Sequence, residues 1–115
     1  MNKEIQTIFK GFKVGEKDIP VAFLRYNGDK DAYITYMETN AEEALSADDR
    51  LTDYVSYYDF DIYSKGNYFP IVEAVKELLE ANDFIWQPSN SSADMYEDDT
   101  GFYHKTLNFA VKRSN

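Results

Sequence analysis

Three groups of side chains in this 115-residue sequence could do chemistry: one histidine, two aspartates on one strand, and an acidic cluster. His104 could act as a general base if a second group oriented it, and the sequence alone shows no such group. Asp59 and Asp61 stand two residues apart, so they point the same way from a strand and could serve as the carboxylate pair of a hydrolase. The simpler interpretation is a structural or surface role for the histidine and an ordinary polar strand face for the aspartates.

The acidic cluster, which comprises Asp94, Glu97, Asp98 and Asp99, could hold a hard cation through carboxylate oxygens. It lacks the ligand spacing of an EF-hand loop, so we interpret it as the solvated tip of a hairpin. No phosphate-binding loop, dinucleotide fingerprint, zinc-protease motif or nucleophile elbow is present, and the chain has no cysteine. The sequence therefore predicts no catalytic residue, no cofactor, no metal site and no enzyme activity.

The composition predicts a sheet-rich domain. Hydrophobic residues make up 43% of the chain and aromatic residues 17%, with ten tyrosines and eight phenylalanines, which excludes a disordered chain and favours sheet. The length suits one domain, and neither a signal peptide nor a run of 18 apolar residues is present, so we expect a cytoplasmic protein without a membrane partner. A net charge of −9 disfavours sequence-specific binding to nucleic acid.

The first half of the chain predicts one helix and two strands. Residues 3–13 carry an apolar stripe with helical spacing, and residues 19–26 form an extended segment. Asn27-Gly28 is typical of a hairpin turn, after which residues 32–38 return as a strand with apolar side chains on both faces. Residues 39–53 hold five acids and one base without a clear period, which predicts a mobile acidic surface loop.

The central part of the chain predicts a strand followed by a helix. Residues 54–63 alternate, with Tyr58, Phe60 and Ile62 on one face that should line the core. Asn67 is a suitable N-cap and Pro70 suits the first turn of a helix that ends near Asn82.

The C-terminal part of the chain predicts a hairpin. Residues 88–92 indicate a flexible connection, and residues 93–97 and 102–112 should pair across a turn at 98–101. The predicted order is α-β-β-loop-β-α-β-β. This order predicts an α+β fold with a mainly antiparallel sheet and two helices on one face.

The abundant tyrosines have two interpretations. Several of them lie opposite the best apolar stripes, where they could cap the edges of the sheet or act as the amphipathic anchors of a protein interface. Both interpretations remain open from the residues alone.

Four segments carry a resemblance to a known family: Ala32 to Tyr36, Asp59 to Lys65, Ile71 to Leu79, and Asp94 to Phe109. In this order and spacing they resemble the tail terminator, or tail-completion, proteins of long-tailed bacteriophages, which include lambda-like and SPP1-like minor tail proteins that join tail to head. The resemblance covers most of the chain from residue 32 onward. The chain departs from the pattern at Asp31-Ala32-Tyr33, where the family has a Pro-Tyr pair.

The resemblance implies a subunit of a ring, most simply a hexamer, that caps the tail tube in the virion and has no catalytic activity. Its partners would be other copies of itself, the tail tube protein and a head-completion protein. A ring needs one patch to bind a different patch on the next copy. We expect these contacts at Tyr33, Tyr36, Met37, Glu42, Glu43, Asp48, Asp49, Tyr57, Asp94, Tyr96, Asp98, Asp99 and Tyr103.

A second hypothesis is a small acidic phage protein that mimics DNA or inhibits a host enzyme. It would require carboxylates spaced like phosphates on one surface, and the acids of residues 42–53 and 94–99 could supply them. Twelve lysine and arginine residues are spread through the chain and interrupt any such stripe.

Overall fold

Three long strands form the centre of the protein. The computed structural model describes residues 2–45 and 51–114. Its elements, in chain order, are helix α1 (Lys3–Ile8), strands β1 (Lys13–Val14), β2 (Lys17–Asp18), β3 (Val21–Phe23), β4 (Ala32–Leu45) and β5 (Leu51–Ser64), helix α2 (Phe69–Glu80), strand β6 (Ile85–Trp86), a 3₁₀ turn (Pro88–Asn90), and strands β7 (Met95–Glu97) and β8 (Phe102–Ser114).

The strands form one main sheet in the order β3-β4-β5-β8-β6, and β7 also pairs with β8. Every pairing in this sheet is antiparallel except that of β3 with β4. β1 and β2 form a separate two-stranded ribbon. The predicted α+β fold with a mainly antiparallel sheet is confirmed, and so is the predicted C-terminal hairpin.

One face of the sheet, which we call the core face, is covered by both helices. Tyr58, Phe60 and Ile62 of β5 are buried on this face, as their alternation predicts. α1 adds Ile5 to the same hydrophobic cluster, and α2 adds four side chains spaced along one stripe, Ile71, Val72, Val75 and Leu79. The opposite face of the sheet, the open face, carries the odd-numbered side chains of β5.

Helix α2 begins one residue later than predicted, because its N-cap is Tyr68 and not Asn67. The Asn67 side chain accepts a hydrogen bond from the Phe69 N–H at 3.1 Å, and Pro70 lies in the first turn, where its missing N–H costs nothing. At the other end the Asn82 side chain donates to the Leu78 carbonyl at 2.8 Å. Asp83 then takes a positive φ of 68°, which turns the chain toward β6.

The predicted hairpin at Asn27-Gly28 is wrong, because β3 runs parallel to β4. The chain reverses earlier, at Leu24, whose φ is 65°. The Arg25 N–H donates to the Phe23 carbonyl at 2.7 Å, so these three residues form a γ-turn. The segment after this turn runs back past the sheet and enters β4 in the same direction as β3.

The predicted loop over residues 39–53 is also wrong for its described parts. Residues 39–45 continue β4 and residues 51–53 begin β5, so the two strands form one long hairpin. A register shift between Glu38 and Asn40 moves the following side chains to the other face, which hides the strand period from the sequence. Asp48 and Asp49 lie outside the described residues.

The connection predicted to be flexible is tied to β8 by Ser91. Its hydroxyl accepts hydrogen bonds from the Trp86 indole N–H and the Asn108 backbone N–H, each at 3.0 Å, and donates to the Gln87 carbonyl at 3.0 Å. The neighbouring Ser92 hydroxyl accepts from the Thr106 N–H at 2.8 Å. These bonds close the edge of β8 between β6 and β7, where no strand pairs with it among the described residues.

Ser91→Ala is expected to lower the free energy of unfolding by about 1–2 kcal/mol, because two donors lose their acceptor. Urea unfolding followed by tryptophan fluorescence measures this loss at Trp86, the only tryptophan in the chain. Ser89→Ala is the matched control, since Ser89 is exposed in the same turn. An equal effect of the two substitutions would contradict the role given to Ser91.

Candidate functional site

A polar cluster occupies the open face of the sheet where β5 and β8 pair. His104 Nε2 lies 3.1 Å from Asp61 Oδ1, and the Thr106 hydroxyl donates to the same carboxylate oxygen. The second ring nitrogen of His104 lies 3.6 Å from Glu97 of β7. Burial alone would raise the pKa of Asp61, but the hydrogen bonds from His104 and Thr106 lower it below its usual value. The histidine therefore has the partner that sequence alone could not show.

The two strand aspartates have separate partners. Asp59 accepts a hydrogen bond from the Asn108 side chain at 2.8 Å, while Asp61 is bound by the histidine and threonine. Burial raises the pKa of Asp59, although the bond from Asn108 acts in the opposite direction. Each carboxylate accepts a hydrogen bond from a side chain on β8, so both aspartates link β5 to β8. Both are half-buried, whereas the sequence predicts an ordinary polar strand face.

A row of stacked rings crosses the open face beside this cluster. Tyr26, Tyr33, Tyr63 and His104 stack in succession, with ring centroids 4.6, 4.7 and 4.1 Å apart. Burial raises the pKa of Tyr63 to about 12, and the nearby charge of Asp61 adds to the effect. Tyr33, which is expected at an interface, stacks on both Tyr26 and Tyr63, so both faces of its ring are covered by internal contacts.

The acidic cluster lies at the β7–β8 turn, as predicted. Asp94 forms an ion pair with Lys105 at 3.2 Å, and Glu97 accepts a hydrogen bond from Thr100 at 2.9 Å. Asp98 and Asp99 are exposed at the tip. Within residues 2–45 and 51–114, no group of three or more His, Asp or Glu side chains is arranged to hold a metal ion.

The residues expected at an interface differ in their exposure. Tyr36 is only 1% exposed and packs against Phe60 in the core, so its place among the contact residues is corrected. Met37, Glu42 and Glu43 are exposed on β4, and the half-buried Tyr57 donates a long hydrogen bond of 3.4 Å to Glu42. The structure does not bring the residues of β4 together with β7, because β5 and β8 lie between these two strands.

An aromatic surface lies at the edge of the sheet formed by β7 and β8. Phe69, Tyr68, Tyr103 and Tyr96 form a chain of ring contacts, with centroids 5.2, 6.1 and 4.9 Å apart. Phe69 is 61% exposed, Tyr96 53% and Tyr103 41%. A groove of about 400 Å³, which we call the aromatic groove, is lined by Lys65, Gly66, Asn67, Tyr68, Phe69 and Tyr103.

A second apolar surface lies at the opposite edge, where β3 ends. Its exposed members are Phe23, Leu24 and Met37, which we call the Leu24 surface, and Leu24 is 55% exposed. They line a hollow together with Glu38 and Tyr58. Phe23 and Leu24 are not among the residues predicted at an interface, because the sequence places both in an extended segment over residues 19–26 and shows no turn at Leu24.

Among the described helices, none is both long and apolar enough to cross a membrane. Comparison with known proteins assigns no relative, since no family model matches the chain and no curated protein resembles it significantly.

Proposed function

We propose that this protein is a structural assembly protein of a bacteriophage or prophage, a ring-forming tail terminator that caps the tail tube and joins it to the head. The observation that carries the proposal is the presence of two different exposed apolar surfaces at opposite edges of one sheet. Exposed apolar patches of this kind are typical of protein interaction sites. Its partners would be other copies of the chain, the tail tube protein and a head-completion protein.

Two unlike surfaces at opposite edges support a ring over a simple dimer. A two-fold dimer joins one patch to its own copy, and would leave the second apolar surface exposed. A contact between unlike patches repeats from copy to copy and ends only when the ring closes. The order of elements and the family resemblance from residue 32 onward then favour the ring at the end of a phage tail.

The electrostatic character of the chain fits this role. The net charge of −9 repels the phosphate backbone, so DNA leaving the head could pass through such a ring without binding to it. In this proposal the polar groups of the open face have a structural role, because their hydrogen bonds link neighbouring strands: Asp59 binds Asn108, and Asp61 binds His104 and Thr106.

Light scattering of the purified protein over a concentration series, followed by electron microscopy, tests the proposal. The expected result is a closed ring, most simply of six copies, that binds to one end of purified tail tubes and stops their growth. Binding to the tube end by a protein that is monomeric when free would also support the function. A protein that neither forms rings nor binds tail tubes would contradict it, and binding to a host nuclease or polymerase instead would favour the acidic inhibitor.

A further inference from the structure

The turn at Leu24 holds an apolar side chain out from the surface at a cost in backbone strain. A positive φ of 65° is unfavourable for leucine, and the side chain gains little burial in return, since it is 55% exposed. Strained backbone of this kind is concentrated at functional positions. The turn is closed by the Arg25 N–H to Phe23 carbonyl bond and anchored by the Leu24 N–H, which donates to the Tyr36 carbonyl at 3.0 Å. Leu24 is therefore presented as a projecting knob.

The aromatic groove has the form and chemistry to receive such a knob. The rings of Tyr68, Phe69 and Tyr103 line a hollow of about 400 Å³, which is large enough for a leucine side chain. One side of the groove is open at Gly66, since nothing lies within 4 Å of the position that a Cβ would take there. The groove lies beside β8 and β7, whereas the knob directly follows β3, at the other edge of the sheet.

Charged groups of both signs border the two surfaces. Lys3 and Glu38 line the hollow at the Leu24 surface, and Arg25 follows the knob directly. The groove is bordered by Lys65, and Asp94 lies against the Tyr68 hydroxyl. A copy that places its knob in the groove of the next can therefore bring a carboxylate toward Lys65 and a guanidinium toward Asp94.

We propose that Leu24 of one copy inserts into the aromatic groove of the next copy, and that this heterologous contact joins the subunits of the assembly. The proposal rests on the ring function above, to which it adds the surfaces in contact. In this proposal the strained turn at Leu24 serves assembly, because its unfavourable backbone conformation exposes one side chain to the neighbouring copy.

Cross-linking between single-cysteine variants tests the contact directly, since the chain has no cysteine of its own. Leu24→Cys is mixed with Gly66→Cys and treated with a short bis-maleimide, and the matched control replaces Gly66→Cys by Glu80→Cys at the far end of α2. The expected result is a heterodimer that forms severalfold faster with Gly66→Cys than with Glu80→Cys. Equal rates for the two mixtures would overturn the proposal.

Leu24→Gly provides a second test that does not depend on disturbing the fold. Glycine accepts the positive φ of this turn, so the thermal midpoint should equal or exceed that of the unaltered protein, while self-association is lost. Phe69→Asp, which places a charge in the groove, should lose association as well. A mixture of the two variants retains one working knob and one working groove, and should form a one-to-one dimer that does not grow further.

The outcomes separate this contact from the proposed function. Rings formed by Leu24→Gly as readily as by the unaltered protein would overturn the knob contact and leave the tail-terminator function standing. Cross-linking at Leu24 and Gly66 in a protein that ignores tail tubes would support the contact and contradict the function.

Discussion

Phe60→Ala is expected to lower the free energy of unfolding by about 3–5 kcal/mol, which is a large fraction of the total stability of an ordinary domain of this size. Phe60 is fully buried at the centre of β5, where its removal would leave a cavity that the long strands on both sides cannot easily close. Its ring contacts come from the end of α1, from β4 and β5, from the segment after α2, and from β8, through Phe9 (the C-cap of α1), Tyr36, Tyr58, Phe84 and Phe109.

Chemical denaturation followed by circular dichroism measures this loss. Phe69→Ala is the matched control, because it removes the same side chain from an exposed position at the start of α2. The control is expected to change stability by no more than about 0.5 kcal/mol while weakening self-association. If Phe69→Ala proved as destabilising as Phe60→Ala, the assignment of Phe60 to the centre of the core would be contradicted.

Asp61→Ala is expected to cost about 2–3 kcal/mol near neutral pH, because the carboxylate ties two side chains of β8 to β5. The substitution leaves the Thr106 hydroxyl and the His104 ring without their shared acceptor on a half-buried surface. The bonds from His104 and Thr106 to Asp61 join β5 to β8 on the open face, at the end of these two strands near the β7–β8 hairpin.

The same network predicts a pH dependence whose sign follows from the lowered pKa of Asp61. A carboxyl group that ionises more readily in the folded state stabilises the fold above its unfolded pKa of about 3.9, and this stabilisation is lost as the pH falls through the folded value. The difference in stability between the unaltered protein and Asp61→Ala should therefore shrink below about pH 4. Asp98→Ala is the control, because it removes a carboxylate from the exposed turn.

The raised pKa of Asp59 acts in the opposite direction and must be separated from this effect. Protonation of Asp59 is easier in the folded state, so its contribution to stability grows as the pH falls. Urea titrations of Asp61→Ala and Asp59→Asn across the acid range distinguish the two carboxylates. A gap between the unaltered protein and Asp61→Ala that stays constant down to about pH 2 would contradict the role of the Asp61 charge.

Those parts of the fold that follow a single period were predictable from the sequence. The alternation in β5 correctly assigned Tyr58, Phe60 and Ile62 to the core, and Asn67 and Pro70 located the start of α2 to within one residue. In each case one face of an element is buried and the other is exposed, so the sequence pattern records the packing directly.

The long β4–β5 hairpin and the parallel strand β3 could not be predicted in the same way. Alanine and glutamate in residues 41–43 are poor strand formers, and the register shift near Thr39 interrupts the alternation, so this part of β4 depends on its pairing with β5. Parallel pairing of β3 depends on the γ-turn at Leu24, and no glycine marks that turn.

The candidate site was only partly accessible to sequence reasoning. Tyr96 and Tyr103 were expected at an interface and are exposed, but whether a partner contacts them remains a prediction. Tyr36 shares a strand face with Ile34, a pattern that indicates the core, although Tyr36 is named among the expected contact residues. The proposed contact between Leu24 and the aromatic groove of another copy could not be predicted. It depends on the strand order that places the two surfaces at opposite edges of the sheet, and no local sequence pattern shows that order.

The position of β5 between β4 and β8 has a consequence for the speed of folding. Its pairing with β4 joins neighbouring segments and can form within microseconds, whereas its pairing with β8, as between Tyr58 and Phe109, joins residues that are far apart in sequence. Long-range pairings of this kind slow folding to milliseconds or seconds. During that interval the apolar side of the early hairpin is open to solvent, so we expect aggregation to compete with folding most strongly before β8 has docked.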